Sequence, residues 1–150
     1  MSDNNSPQSG NEVTRLRHKS RQLALHTLYA CEVGETKHWA SMLDKIADAD
    51  QLSVEVKKYA KDLVDKTLSN LEQIDDILVS KAQNWEIRRM AAVDRNVLRL
   101  AITELTYFPK VPYKVVIDEA VEIAKTFGTS ESGKFVNGIL DSIIHKKTNN

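Results

Sequence analysis

Residues 93–108 read VDRNVLRLAITELTYF, and Pro109 follows directly. Val93, Val97, Leu100, Ala101, Leu105 and Phe108 recur at three- and four-residue steps, which gathers them on one face of an α-helix. This segment closes a longer stretch, Glu35 to Phe108, that holds neither glycine nor proline. Tight turns draw on those two residues, so the stretch cannot be cut into short strands and hairpins. Helices are the reading on both sides. Towards the N-terminus, one face carries Leu71, Ile74, Leu78, Ala82 and Trp85. Another carries Val56, Tyr59, Ala60, Leu63, Val64 and Leu68, with Ser53 as N-cap and Glu55 in the first turn. Trp39, Met42, Leu43, Ile46 and Ala47 repeat the pattern after Gly34. Leu16, Leu23, Ala24, Thr27, Leu28 and Cys31 share the apolar face of the first helix. Towards the C-terminus, Pro112 opens a sixth helix at its first position and Gly128 stands as its C′ glycine. Phe135, Val136, Ile139, Leu140, Ile143 and Ile144 mark a seventh. The expectation is an all-α bundle of about seven helices. No internal repeat of fixed period argues for a solenoid.

The 150 residues suit one domain. Residues 1–12 are polar and read as a disordered tail, 13–147 as a single helical domain, and 148–150 as a frayed end. With 41% hydrophobic and 28% charged residues, the composition is that of a soluble globular protein. No apolar run exceeds four residues, too few to span a bilayer. No charged-then-apolar leader opens the chain, which points to the cytoplasm. The single cysteine, Cys31, excludes an internal disulfide and suits a reducing compartment. Lys+Arg and Asp+Glu number 21 each, so net charge names no partner. Their distribution is more telling. Val13 to Cys31 holds four bases (Arg15, Arg17, Lys19, Arg21) and no acid. Glu32 to Asn84 holds eleven acids against seven bases, and Ser132 to the end three lysines against one aspartate. Two basic ends around an acidic middle are compatible with an anionic partner.

The chain carries no catalytic constellation. There is no strand to precede a glycine-rich phosphate loop. His18, His26, His38 and His145 lack metal-ligand spacing, and Cys31 has no CxxC partner, so neither a metal nor a cofactor is expected. Cys31 on an apolar helix face reads as a packed, inert thiol. Glu104 falls within the apolar arc of the fifth helix, with Asp94 at its edge. A buried carboxylate there must be paired, hydrogen-bonded or protonated, and a structural role is the simpler reading.

The first helix offers the clearest binding face. Opposite its apolar stripe, Arg15, His18, Lys19, Gln22, His26 and Tyr29 share an arc of about 100°. Arg17 and Arg21 lie to the side, near the border of the stripe. Cations, an amide and a phenol are the parts that bind single-stranded nucleic acid: charge for phosphates, Gln22 for a base edge, Tyr29 for a stack. On the last helix, Phe135 stands at the margin of the apolar arc beside Lys134, as a core edge or a second stacking platform.

Several stretches together resemble the NusB family of bacterial transcription antitermination factors. They are Arg21 to Tyr29 (RQLALHTLY), Val93 to Ala101 with Glu104, Val111 to Ala120 (VPYKVVIDEA) continuing through Ala124 to Gly128 (AKTFG), and Lys134 to Asp141 (KFVNGILD). The ordered matches run from about Leu16 to His145. The resemblance implies two small packed helical bundles and no enzyme. It implies a heterodimer with the ribosomal protein NusE that binds boxA RNA. It further implies action with other Nus factors on RNA polymerase elongating through ribosomal RNA operons. Carried over by position, the family's basic segment falls on Arg17, His18, Lys19 and Arg21, and its RNA-facing tyrosine on Tyr29. The late Lys-Phe pair falls on Lys134 and Phe135, and an acidic position that tunes RNA affinity falls on Glu131. Asp94 and Arg95 match the region near the NusE surface. Here His18 and Ser20 interrupt the basic segment, so weak RNA binding alone and stronger binding with the partner are expected.

This reading requires the first-helix face and the Lys134–Phe135 pair to form one exposed surface. The alternative is a purely protein-binding helical module, or a homodimer with the basic face covered. NusB-like domains also precede certain RNA cytosine methyltransferases, but no catalytic cysteine motif or cofactor-binding sheet is legible in these 150 residues.

Overall fold

A computed structural model describes residues 7–82 and 86–148. Among them the chain forms seven α-helices and one short 3-10 turn, with no strand. They are α1 Pro7–Val33, α2 Trp39–Ala49, α3 Val54–Ser69, α4 Leu71–Ala82, α5 Ala92–Tyr107, α6 Tyr113–Phe127 and α7 Ser132–Thr148, with the 3-10 turn at Ile87–Arg89. The expected all-α class is the observed one. Residues 1–6 of the expected tail, 149–150 of the expected frayed end, and Trp85 lie outside the described residues. Helix α1 nevertheless starts at Pro7, inside the stretch read as a tail. Proline is tolerated in a first helical turn, where its missing N–H has no intrahelical partner. Local bonds carry the next turns: Thr14 Oγ1 donates to the Gly10 carbonyl at 3.0 Å, and Arg15 Nη2 meets Glu12 Oε2 at 2.6 Å. Polar composition argues against a buried core and says little about such bonds.

The helices divide into two compact units, one ending at Asp62 and the other beginning at Leu63, so α3 starts in the first and finishes in the second. In the first unit α1 packs against α2. Leu23, Ala24, Leu28, Leu43 and Ala47 are buried, as their spacing predicts. The Ser20 hydroxyl joins α1 to α3, lying 3.0 Å from the Leu16 carbonyl and 2.9 Å from that of Val56. Ser53 is the expected cap: its Oγ accepts the Val56 N–H at 3.3 Å. Between α2 and α3 the Asp44 carboxylate forms ion pairs with Lys57 and Lys61, each at 3.3 Å, while Lys57 also reaches Asp48 at 3.6 Å. The ammonium of Lys57, and then that of Lys61, holds the Asp44 carboxyl below the usual carboxylate range.

In the second unit α5 packs against α4, α6 and α7. Its burial goes beyond the single face read from the sequence. Leu98 and Ile102 are off that face and have exposures of 0% and 1%. A second apolar row, Leu98–Ile102 at i, i+4, was present but overshadowed by the longer one. Glu104 is buried, as its place on the wheel requires. Arg99 on α5 makes a two-pronged pair with Asp75 on α4, Nε to Oδ1 at 2.8 Å and Nη2 to Oδ2 at 2.9 Å. Thr67 and Thr103 share a buried hydrogen bond of 2.9 Å. Pro112 caps α6 from outside rather than opening it, its carbonyl accepting the Val115 and Val116 N–H groups. Gly128 ends α6 with φ −101°, so no left-handed residue is needed there. What demands glycine is space: a Cβ would stand 2.4 Å from Ser132 Oγ and 2.8 Å from the Ala124 carbonyl.

Candidate nucleic-acid interface

The longest helix positions the first group of candidate residues. Arg15 and Tyr29 are exposed on α1, and His18, Lys19, Gln22 and His26 between them are half-buried. A continuous helix keeps these six on one arc, so the expected grouping holds within α1. Tyr29 retains 43% of its surface for solvent, enough to offer a ring face. Gln22 Nε2 donates to His18 Nε2 at 3.2 Å, an i, i+4 contact that orients the amide.

Arg17 and Arg21 behave differently. Both turn towards α3, where the Arg17 guanidinium stands 3.9 Å from the Tyr59 ring centroid and that of Arg21 stands 5.9 Å away. Arg17 stays half-exposed, whereas Arg21 is 6% exposed and stands among the packed side chains of the first unit. Sequence reasoning placed Tyr59 on an apolar helix face and missed this contact. The i, i+4 spacing of the two arginines was legible; the ring opposite them belongs to another helix and was not.

His26 is half-buried, and burial pushes its imidazole below the ordinary value of 6.5, with Asp50 partly pulling it back. The folded state thus prefers neutral His26, and the unfolded chain takes the proton first. The stability tied to this preference is full above pH 6.5 and is lost as pH falls towards the lowered folded value. Melting temperatures of wild type and His26→Gln, followed from about pH 7.5 to about pH 5, should therefore diverge at the alkaline end and converge on acidification. Parallel curves would remove His26 as the source. Cys31 is half-buried with its thiol pushed up by burial, in line with a packed and unreactive group.

The second group sits in the second unit, around the start of α7. Lys134 is exposed and Phe135 half-buried, and Glu131 is exposed one residue before the helix. The turn is tied down locally: Ser132 Oγ accepts the Thr129 N–H at 2.9 Å, and the Glu131 carbonyl accepts the Phe135 N–H at 3.1 Å. Asp94 and Arg95 open α5 in the same unit. Asp94 is buried, and its Oδ1 has no hydrogen-bond partner among the described residues. Arg95 Nη1 donates to the carbonyls of Met90 at 2.8 Å and Ile87 at 3.2 Å, clasping the 3-10 turn. Among the described residues no group of three or more His, Cys, Asp or Glu is placed to hold a metal ion, and no helix is long and apolar enough to cross a membrane.

Comparison with known proteins adds to this geometry. A sequence model of the NusB family matches residues 18–145. The transcription antitermination protein NusB of Geotalea daltonii is 44% identical over 134 residues, covering 85% of this chain and 92% of that protein. That of Koribacter versatilis is 43% identical over 132 residues, covering 87% and 89%. Among solved structures, T. maritima NusB is 39% identical with a TM-score of 0.79, over 85% of this chain and 89% of that one. A crystal structure of antitermination factors NusB and NusE in complex with dsRNA is similar at 28% identity and a TM-score of 0.79, over 86% and 96%. With matches of this length on top of an all-helical fold, the chain belongs to the NusB family of transcription antitermination proteins, a family of factors and not of enzymes.

Proposed function

We propose that this chain binds boxA RNA as a heterodimer with NusE and, with other Nus factors, supports RNA polymerase through ribosomal RNA operons. The observation that carries the proposal is the exposed Tyr29 at the end of a basic arc on α1. Arg15, Arg17 and Lys19 meet the phosphate backbone, Gln22 meets a base edge, and Tyr29 stacks on a base. His18 orients Gln22 through their hydrogen bond. Arg21, packed near Tyr59, contributes its charge from behind. Lys134 and Phe135 add a cation and a ring, with the exposed carboxylate of Glu131 beside them as a repulsive element that limits affinity. Asp94 and Arg95 lie near the surface that meets NusE and shape it, Asp94 buried at the start of α5 and Arg95 holding the 3-10 turn. A relative solved with NusE and RNA supports both partners, and a cytoplasmic location follows from the process.

Tyr29→Ala is expected to weaken binding of a single-stranded boxA-like RNA by about 1–3 kcal/mol, or about 5- to 150-fold, without loss of helical structure. A mobility-shift titration checks this with boxA-like and scrambled RNA, each with and without NusE. Full-strength binding by the variant would remove Tyr29 from the site. A stable dimer of this chain, indifferent to RNA and to NusE, would overturn the proposal as a whole.

A further inference from the structure

Two guanidinium groups of α1 converge on one ring of α3. The Tyr59 ring is 9% exposed, with Arg17 3.9 Å from its centroid and Arg21 at 5.9 Å. The spacing of the two helices at this point is set nearby, where the Ser20 hydroxyl of α1 meets the Val56 carbonyl of α3 at 2.9 Å. The ring is therefore part of the packed unit, while Arg17 stays half-exposed at a groove lined by Val13, Leu16, Glu55, Lys58 and Asp62 as well. An arginine on an open helix face spreads over many rotamers, and ordering it for a ligand costs entropy. Stacking on an aromatic face removes much of that spread beforehand. It engages the flat π surface of the guanidinium and leaves its donor edge for the oxygens of an anion.

We propose that Tyr59 is a positioning residue for RNA binding: it presets the Arg17 guanidinium so that its donor edge meets a phosphate, and does so without touching the RNA. The inference rests on the RNA-binding role proposed for α1. It assigns a function to α3, none of whose residues carries a binding role in the reading above. Glu55 and Asp62 line the same groove and offer a competing way to hold Arg17, so the test must separate ring from carboxylates.

The experiment measures binding of a single-stranded boxA-like RNA to the full chain at several salt concentrations. The variants are Tyr59→Phe, Tyr59→Leu, Arg17→Met and the Tyr59→Leu/Arg17→Met double. Tyr59→Phe keeps the ring and should bind as wild type does. Tyr59→Leu should weaken binding about three- to tenfold. Arg17→Met should weaken it at least as much and lower the salt slope by about one. In the double variant the leucine should add nothing further, because its effect passes through Arg17. Pentafluorophenylalanine at position 59 preserves the ring's size while depleting its π face. It should match Tyr59→Leu, and it covers the case in which the leucine variant fails to fold. An equal loss from Tyr59→Leu in both backgrounds, or full binding with the fluorinated ring, would overturn the positioning role while leaving RNA binding intact. Should the wild-type chain hold no RNA even with NusE, the proposed function falls, and this role with it. A loss on Asp62→Asn that matches Arg17→Met and is absent from the ring variants would transfer the role to the carboxylate.

Discussion

Leu98→Ala is expected to lower the unfolding free energy by about 2–5 kcal/mol. The side chain is 0% exposed and sits on α5, the helix that packs against α4, α6 and α7. Truncation removes buried methyl groups and leaves a hole that neighbours on three sides cannot all close. Domains hold only about 5–15 kcal/mol in total, so the loss takes a large share. Urea denaturation followed by far-UV circular dichroism should show the midpoint falling with little change in slope. Val79→Ala is the control: that side chain is 56% exposed and should change stability by less than about 0.5 kcal/mol. A wild-type midpoint for Leu98→Ala would mean that α5 is not the tightly packed centre of its unit.

Asp75→Ala is expected to cost about 1.5–3 kcal/mol, above a surface ion pair and below a fully buried one. The two side chains keep 15% and 24% of their surface, so water and salt screen the pair only partly. Two parallel bonds at 2.8 and 2.9 Å fit the geometry in which arginine and carboxylate interact most strongly. Much of the loss comes from the guanidinium left behind in a half-buried place. The Asp75→Ala/Arg99→Met double variant should therefore recover part of it, and the effect of the single variant should survive high salt. A loss that vanishes at high salt, with no recovery in the double variant, would reduce the pair to a surface contact.

Much of this architecture was legible from the sequence because helices announce themselves locally. Period, caps and the lack of glycine and proline before Phe108 located seven helices, with Ser53 capping α3 as expected. The errors arose where distant residues decide the outcome. The second buried row of α5 depends on helices on several sides, which no single face of the wheel reveals. Gly128 was placed correctly but for another reason, since the close approach of Ser132 comes from the following helix. The 3-10 turn at Ile87–Arg89 has too few residues for a period, and its hold by Arg95 is tertiary. In the candidate site, the α1 arc with Tyr29 could be read from spacing alone. The inward turn of Arg21 could not, because it depends on a ring from α3.

Two of the four lysines of α3 show what the pairing around Asp44 does at a distance. Lys57 and Lys61 face acids on α2 within 3.6 Å, so beyond a screening length of about 8–10 Å their field largely cancels. A polyanion drifting towards the first unit therefore feels little net pull from these two lysines. On the proposed RNA-binding role, long-range attraction then comes mainly from the α1 arc, with Arg15 partly offset by Glu12. It hastens encounter with nucleic acid of any sequence, and discrimination begins only where a base is touched.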